Sequence, residues 1–241
     1  MLTALDVARQ GFIKKTLGIL SAQLLVTAVV SLAIAAWPPL TRFAAGPTSP
    51  LPAICALTTL GLVLYLSFSE RARHEHPRNL IVLGLFTLAE AVLVGAIAAQ
   101  YTIPSLLLAF AATGLASGAV ATWAATAKRD LTASAGALLG ALVALLGVSL
   151  LALFVPSVRA FDAVIAGFGA ALFAAWLAVD VQMIYGGSGG GSSSSNGGGS
   201  GSGFRQHVYG PDEHVAAALA VYLDVINMLV YLLRLFGERR E

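Results

Sequence analysis

The sequence predicts an all-α integral membrane protein in which about seven helices cross the bilayer. Hydrophobic residues make up 58% of the 241 residues and charged residues only 11%, against roughly 45–50% and about 25% in soluble domains. A soluble domain of this length has too little interior to bury so much apolar side-chain surface. The apolar residues also fall into long stretches separated by short polar segments. We therefore expect a single membrane domain over residues 1–241.

Seven stretches approach the ~20 apolar residues needed to cross ~30 Å of hydrocarbon at about 1.5 Å per residue. The predicted spans lie near residues 16–36, 51–69, 79–99, 104–126, 132–155, 161–184 and 215–236. The first is about 21 residues long, beyond the roughly 7–15 residues of a signal peptide's apolar region. It is therefore interpreted as an uncleaved first span.

Between the sixth and seventh spans, residues 186–203 are all Gly or Ser except Asn196. Such a segment has no side chains to bury, so we predict an irregular, solvent-exposed and flexible loop. Its irregular order favours a natural low-complexity insertion over an engineered linker.

Lys and Arg residues between the spans predict the orientation of the chain. With a cytosolic N-terminus, most of them fall on the cytosolic side, namely Arg9, Lys14, Lys15, Arg71, Arg73, Arg78, Lys128, Arg129 and Arg205. The basic residues near the C-terminus, Arg234, Arg239 and Arg240, do not fit this bias. The last helix either crosses against the bias or re-enters and returns to the cytosol. We favour crossing, because neither Pro nor Gly interrupts residues 215–236.

Three acidic residues fall inside predicted spans: Glu90, Asp180 and Asp224. An Asp at the centre of a membrane helix costs roughly 2.5–3.5 kcal/mol, so each needs a partner, a proton or water. Asn227 shares a helix face with Asp224, which places a carboxamide beside that carboxylate. Asp180 is either a carboxylate near the headgroups or a partner of Asp224. Glu90 is either a structural hydrogen-bonding group or part of a transport path.

Asp180 and Asp224 differ in nominal depth, but we expect them to approach each other, because either one alone would be an unpaired acid in a costly place. Two carboxylates in hydrogen-bonding range cannot both ionise cheaply in an apolar bundle. We therefore expect the pair to share a proton near neutral pH.

The sequence offers little for an enzyme, a cofactor or a nucleic-acid partner. All four histidines are expected in loops, so no predicted span supplies a histidine base; they are His74, His76, His207 and His214. Cys55 is the only cysteine, and the net charge is only +2. No phosphate-binding loop or dinucleotide fingerprint is present. We therefore predict a protein that is not an enzyme.

Several segments resemble the transmembrane Bax inhibitor motif (Lifeguard) family. The similarity extends over nearly the whole chain, and two segments, Pro77-Arg78-Asn79 and Lys128-Arg129-Asp130, look most like its Golgi anti-apoptotic branch. The last helix carries the strongest match, from Pro211-Asp212-Glu213 through Tyr222-Leu223-Asp224-Val225-Ile226-Asn227 to Leu232-Leu233-Arg234-Leu235-Phe236-Gly237. Further matches are Gly11-Phe12-Ile13-Lys14-Lys15, Gln23-Leu24-Leu25 and Phe86-Thr87-Leu88-Ala89-Glu90.

The resemblance implies a seven-helix bundle whose last helix is central, and a calcium leak closed by a pair of aspartates. On matching positions the pH sensor and gate are Asp180 and Asp224, which would also hold Ca²⁺ transiently, and Arg71 is the latch. It further implies suppression of apoptosis at Golgi or endoplasmic reticulum membranes. This chain departs from the family at Val179-Asp180-Val181, where the family usually has Tyr-Asp-Thr, so fewer local hydrogen bonds reach the first aspartate.

Three function classes follow. The leading hypothesis is a pH-sensitive calcium leak channel of intracellular membranes, since carboxylate oxygens suit Ca²⁺. The alternative is a non-conducting membrane protein that restrains cell death by binding cell-death regulatory membrane proteins. A seven-helix receptor is a third class, but neither a long extracellular region nor a disulfide supports it.

Overall fold

The computed structural model describes residues 4–46, 48–69, 75–152, 154, 159–185, 209 and 213–240. Within these ranges the secondary structure is helical apart from turns and one isolated bridge. The helices are α1 (Ala4–Ala36), α2 (Pro38–Ala45), α3 (Leu51–Phe68), α4 (Arg78–Ala98), α5 (Ile103–Thr126), a 3₁₀ turn (Thr132–Ser134), α6 (Ala135–Leu151), α7 (Arg159–Tyr185) and α8 (His214–Phe236). Residues 186–203, predicted as a flexible loop, and Arg71 lie outside the described residues.

The prediction of seven membrane spans is confirmed. All the helices except the short α2 are long and apolar enough to cross a bilayer, and the protein is a multi-pass membrane protein. Many of their large apolar side chains face outward, for example Leu115, which is 77% exposed. Lipid tails are the natural solvent for such a surface.

Helix α2 was not predicted as an element of its own. It begins directly after Trp37, with Pro38 and Pro39 in its first turn, where the missing N–H of proline costs nothing. Ala44 packs inward against a small cluster with Ile34 and Ala99, while Trp37 and Phe43 stay exposed. The helix therefore lies at the end of the bundle as an amphipathic connection between the first two spans.

The last helix, α8, occupies the centre of the bundle. It packs against α1, α4, α5 and α7, and 61% of its span is buried, against 6% of the Thr132–Leu151 span. Its buried residues cover more than half of the circumference of the helix. This confirms the central position that the family resemblance implies for the last helix.

Two contacts show which helix ends lie together. The Arg9 guanidinium donates to the carbonyl of Ile184 at 3.2 Å, which joins the start of α1 to the end of α7. At the opposite end, Thr102 N–H donates to Glu238 O and Arg240 N–H to Gln100 O, each at 2.9 Å. Helix α8 thus runs from one end of the bundle to the other without returning.

Gly237 ends α8 where the C-terminal residues turn onto the α4–α5 connection. A Cβ atom added at Gly237 would lie 2.5 Å from Cδ1 of the buried Tyr101. A side chain at this position would collide with that ring, so glycine lets the chain pass close to it.

Candidate functional site

The structure brings Asp180 and Asp224 together across the interface of α7 and α8. Their side chains lie within hydrogen-bonding reach of each other and are 6% and 7% exposed. Oδ2 of Asp224 has no hydrogen-bond partner among the described residues. A buried carboxyl oxygen without a donor is costly, so this atom is positioned for a proton, a water molecule or a cation.

The offset between the two helices explains how residues of different nominal depth meet. Asp180 lies five residues before the end of α7, about 7 Å along the axis, and Asp224 lies ten residues after the start of α8, about 15 Å along it. Helix α8 therefore begins farther out at this end of the bundle than α7 ends.

Tyr209 and Glu213 adjoin the acid pair on the segment that leads into α8. Burial and then the negative charges of Asp180, Asp224 and Glu213 raise the pKa of the Tyr209 phenol above its ordinary value. Tyr209 therefore stays protonated and presents a phenol group near the carboxyl groups. Sequence reasoning did not single out Tyr209; the available signal was an aromatic residue just before Gly210-Pro211.

Glu213 does not lie in the exposed first turn of a helix that its sequence context suggests. Pro211-Asp212-Glu213 is typical of a first helical turn with acids at the positive end of the dipole. Helix α8 instead begins at His214, and Glu213 is the N-cap residue without a side-chain capping hydrogen bond. It is also buried. Glu213 thus adds a third carboxyl group close to Tyr209 rather than an exposed cap.

Arg9 is a basic residue whose side chain contacts this end of α7. Its contact with the carbonyl of Ile184 lies four residues, about one helical turn, beyond Asp180. Sequence reasoning treated Arg9 only as a residue that orients the chain, and assigned the latch to Arg71. Arg71 lies outside the described residues, so its assignment stays a prediction.

Gln182 anchors the α5–α6 connection to α7, two residues after Asp180. Its carboxamide accepts a hydrogen bond from Leu131 N–H and donates one to Arg129 O, both at 2.7 Å. One side chain therefore holds the turn Lys128-Arg129-Asp130 through two backbone groups, and it fixes α7 next to the acid pair.

We expect Gln182→Leu to destabilise the protein by about 1–2 kcal/mol, because two hydrogen bonds are lost and two backbone groups lose their partner. Thermal unfolding of the full chain in detergent measures this. Gln182→Glu is the matched control, since its carboxylate still accepts from Leu131 but cannot donate to Arg129. It should fall between wild type and Gln182→Leu. Equal stability of the leucine variant and wild type would contradict the anchoring role.

The two other polar residues singled out within the spans, Asn227 and Glu90, have contacts of their own. The Asn227 side chain donates to the carbonyl of Leu223 in its own helix at 2.8 Å. Glu90 lies on α4 and interacts electrostatically with Tyr222. Tyr222 and Asp224 are two positions apart on α8, about 200° around the axis. Glu90 therefore lies on the other side of α8 from the acid pair.

The pair offers oxygen ligands of the kind that Ca²⁺ prefers. Among the described residues no group of three or more His, Cys, Asp or Glu side chains is close enough to hold a metal ion. Two carboxyl groups supply fewer ligands than the six to eight, approximately, of a tight calcium site. The arrangement therefore suits brief contact with a passing ion better than permanent binding.

Fold and site together define a seven-helix membrane protein whose central last helix carries one half of a buried acid pair. The family described as "Inhibitor of apoptosis-promoting Bax1" matches residues 9–241. The chain is 30% identical over 226 residues to "Protein lifeguard 4" of Mus musculus, covering 94% of this chain and 84% of the mouse protein. It is 28% identical over 228 residues to the "Golgi anti-apoptotic protein" of Vaccinia virus (strain Lister), covering 94% and 85% of the two chains. The chain belongs to the anti-apoptotic Bax inhibitor (Lifeguard) family.

Proposed function

We propose that this protein is a pH-sensitive calcium leak of an intracellular membrane, and that the Asp180–Asp224 pair is its proton sensor and gate. The carboxyl pair buried between α7 and the central helix is the observation that carries the proposal. Such a pair is costly within a bilayer, and acids at membrane depth therefore usually mark a functional site. We further propose that the leak contributes to Ca²⁺ homeostasis and to suppression of apoptosis.

The proposed mechanism uses the repulsion between the two carboxylates. When the pair shares one proton, a hydrogen bond joins α7 to α8 and keeps the path closed. When the proton leaves, two negative charges face each other, and either the helices separate or a Ca²⁺ ion neutralises them. Tyr209 and Glu213 adjoin the pair at this end and would contribute to the mouth of the path.

We propose that the N-terminus is cytosolic, because the basic residues of the first six spans favour that side. The acid pair would then lie near the cytosolic end, since Arg9 and Ile184 meet there. The C-terminus would lie on the opposite side, because α8 crosses the bundle. The name of the viral relative, "Golgi anti-apoptotic protein", supports a Golgi membrane, and the endoplasmic reticulum is the second proposed location.

Ca²⁺ flux through liposomes containing only the purified protein tests the proposal. We expect Ca²⁺ entry, reported by a trapped fluorescent indicator, in protein-containing vesicles and not in protein-free vesicles of the same lipids. Vesicles containing the same amount of an unrelated membrane protein control for leakage caused by inserted protein alone. Absence of Ca²⁺ entry at every pH, with protein that is folded and inserted, would contradict conduction. That outcome would favour the alternative, a non-conducting protein that binds membrane proteins of the cell-death machinery.

A further inference from the structure

A second polar cluster lies in the bundle, on the face of α8 that points away from the acid pair. It is formed where α1, α4 and α8 meet, and we call it the α1–α4–α8 cluster. Its members are Gln23, Thr27, Thr87, Glu90 and Tyr222. All except the partly buried Glu90 are at most 4% exposed. Neither the proposed gate nor its mechanism uses these residues.

Two hydrogen bonds across helices hold the cluster together. The Gln23 side chain donates through Nε2 to Thr87 Oγ1 at 3.0 Å, and the hydroxyls of Thr27 and Tyr222 lie 2.7 Å apart. The Thr27 hydroxyl donates to the carbonyl of Gln23, so it must accept from Tyr222. Helix α1 is thereby joined to both α4 and α8 by polar contacts within the span.

The carboxamide oxygen of Gln23 is left without a partner. Thr87 donates its only hydroxyl proton to the carbonyl of Leu83 at 2.8 Å, so it can only accept from Gln23. This fixes the orientation of the Gln23 amide, with the NH₂ group on Thr87 and Oε1 directed elsewhere. Oε1 is buried and has no hydrogen-bond partner among the described residues. A buried acceptor of this kind requires a donor or a cation.

Glu90 lies at the same level of the bundle as Thr27. Helices α1 and α4 run parallel, because Gln23 contacts Thr87 and Ser31 packs against Gly95 with the same offset of 64 positions. With that offset Glu90 is level with position 26. Around α4, Glu90 is about 40° from Phe86 and about 60° from Thr87. Phe86 contacts Tyr222 and Thr87 contacts Gln23, so Glu90 faces the seam between α8 and α1.

The charges of the cluster favour a monovalent cation. Glu90 has no ion pair among the described residues, where the one salt bridge joins Arg78 and Glu75. The other members of the cluster offer neutral oxygen atoms. One carboxylate balances one positive charge, whereas a divalent ion would leave an excess charge buried in the membrane. The acid pair with its two carboxyl groups differs in this respect, and suits Ca²⁺.

We propose that the Glu90 carboxylate and Gln23 Oε1, flanked by the hydroxyls of Thr27 and Tyr222, form a binding site for a small monovalent cation of the size of Na⁺. The bound ion neutralises the acid at membrane depth and supplies the missing partner of Gln23. It also joins α4 and α1 beside the central helix. The site is separate from the Asp180–Asp224 pair, and its existence does not depend on whether the protein conducts Ca²⁺.

The thermal unfolding temperature of the purified full chain in detergent tests the site. It is measured in NaCl and in choline chloride, at equal ionic strength and at the same mildly alkaline pH. Choline is too large to enter a buried site. We expect Na⁺ to raise the unfolding temperature of wild type by several degrees. Glu90→Gln should abolish the Na⁺ effect and Gln23→Leu should reduce it strongly. Saturable binding of radioactive sodium gives the same comparison without unfolding.

Two controls separate the site from general salt effects and from the gate. Glu75→Gln removes an exposed acid outside the cluster and should keep the full Na⁺ effect, as should Asp224→Asn. If the Na⁺ effect survives in Glu90→Gln, or if wild type binds no sodium, the proposal is wrong. Loss of the effect in Asp224→Asn but not in Glu90→Gln would also overturn it, because the ion would then belong to the acid pair. If Glu90→Gln does not fold, Gln23→Leu and sodium binding decide the question.

Discussion

Replacing Asp224 with Asn is expected to flatten the pH dependence of Ca²⁺ flux in reconstituted liposomes. Two carboxylates about 4 Å apart repel each other by roughly 4 kcal/mol at an effective dielectric constant of about 20. A change of that size shifts the balance between closed and open forms by up to about a thousandfold. An amide keeps the shape of the side chain and can still form one hydrogen bond to Asp180, but it cannot ionise.

The measurement is the initial rate of Ca²⁺ entry between about pH 5 and pH 8, the range into which burial moves a carboxyl group. Wild type should show a clear dependence on pH across this range. Asp224→Asn and Asp180→Asn should each give a nearly constant rate, because both remove one member of the same pair.

Asp162→Asn is the matched control for this experiment. Asp162 is also an acid of α7, but it lies in the first turn, at the opposite end of the helix from Asp180. Its replacement should leave the pH profile unchanged. A reconstituted Asp224→Asn protein that keeps the wild-type profile would show that the gate has been assigned to the wrong residues.

The seven spans could be predicted from the sequence because hydrocarbon imposes a simple length requirement on every crossing helix. The short helix α2 could not be predicted in this way, because its eight residues are too few to cross the membrane. Its position depends instead on the packing of Ala44 against Ile34 and Ala99. Hydropathy therefore predicts which segments cross the membrane but not how the connections fold at the ends of the bundle.

The candidate site was predicted only in part. The cost of an acid at membrane depth directed attention to Asp180 and Asp224, and the structure places them side by side. The same reasoning grouped Asn227 with Asp224 because they share a helix face, yet the Asn227 amide donates to its own helix. The roles assigned to Tyr209 and Gln182 depend on contacts between residues that are far apart in sequence. Helical periodicity does not reveal such contacts.

Glu90 illustrates a different limit of sequence reasoning. Its depth in the membrane could be predicted, but not the side of α8 on which it lies. That side follows from the contacts of neighbouring positions on α4, where Phe86 meets Tyr222 and Thr87 meets Gln23. The two sets of intramembrane acids therefore belong to separate clusters on either side of the central helix.

Replacing Tyr222 is expected to have a large effect on the stability of this protein, and the size of the loss should depend on the replacement. Tyr222 is fully buried, its ring meets Phe86 edge to face with centroids 6.0 Å apart, and its hydroxyl donates to Thr27. Tyr222→Phe removes only the hydroxyl and should cost about 1 kcal/mol. Tyr222→Ala leaves a cavity the size of the ring at the centre of the bundle.

For Tyr222→Ala we expect a loss of about 3 kcal/mol, the low end of the roughly 3–5 kcal/mol found for buried aromatic residues in soluble proteins. Lipid tails are as apolar as the bundle interior. The stabilising free energy that the substitution removes therefore comes from packing and not from transfer out of water. Unfolding of the full chain in detergent, with Phe68→Ala as control, measures the difference. Phe68 is 84% exposed on α3, and its replacement should change stability by less than about 0.5 kcal/mol. If Tyr222→Ala costs no more than Phe68→Ala, α8 does not depend on the Tyr222 ring for its central position.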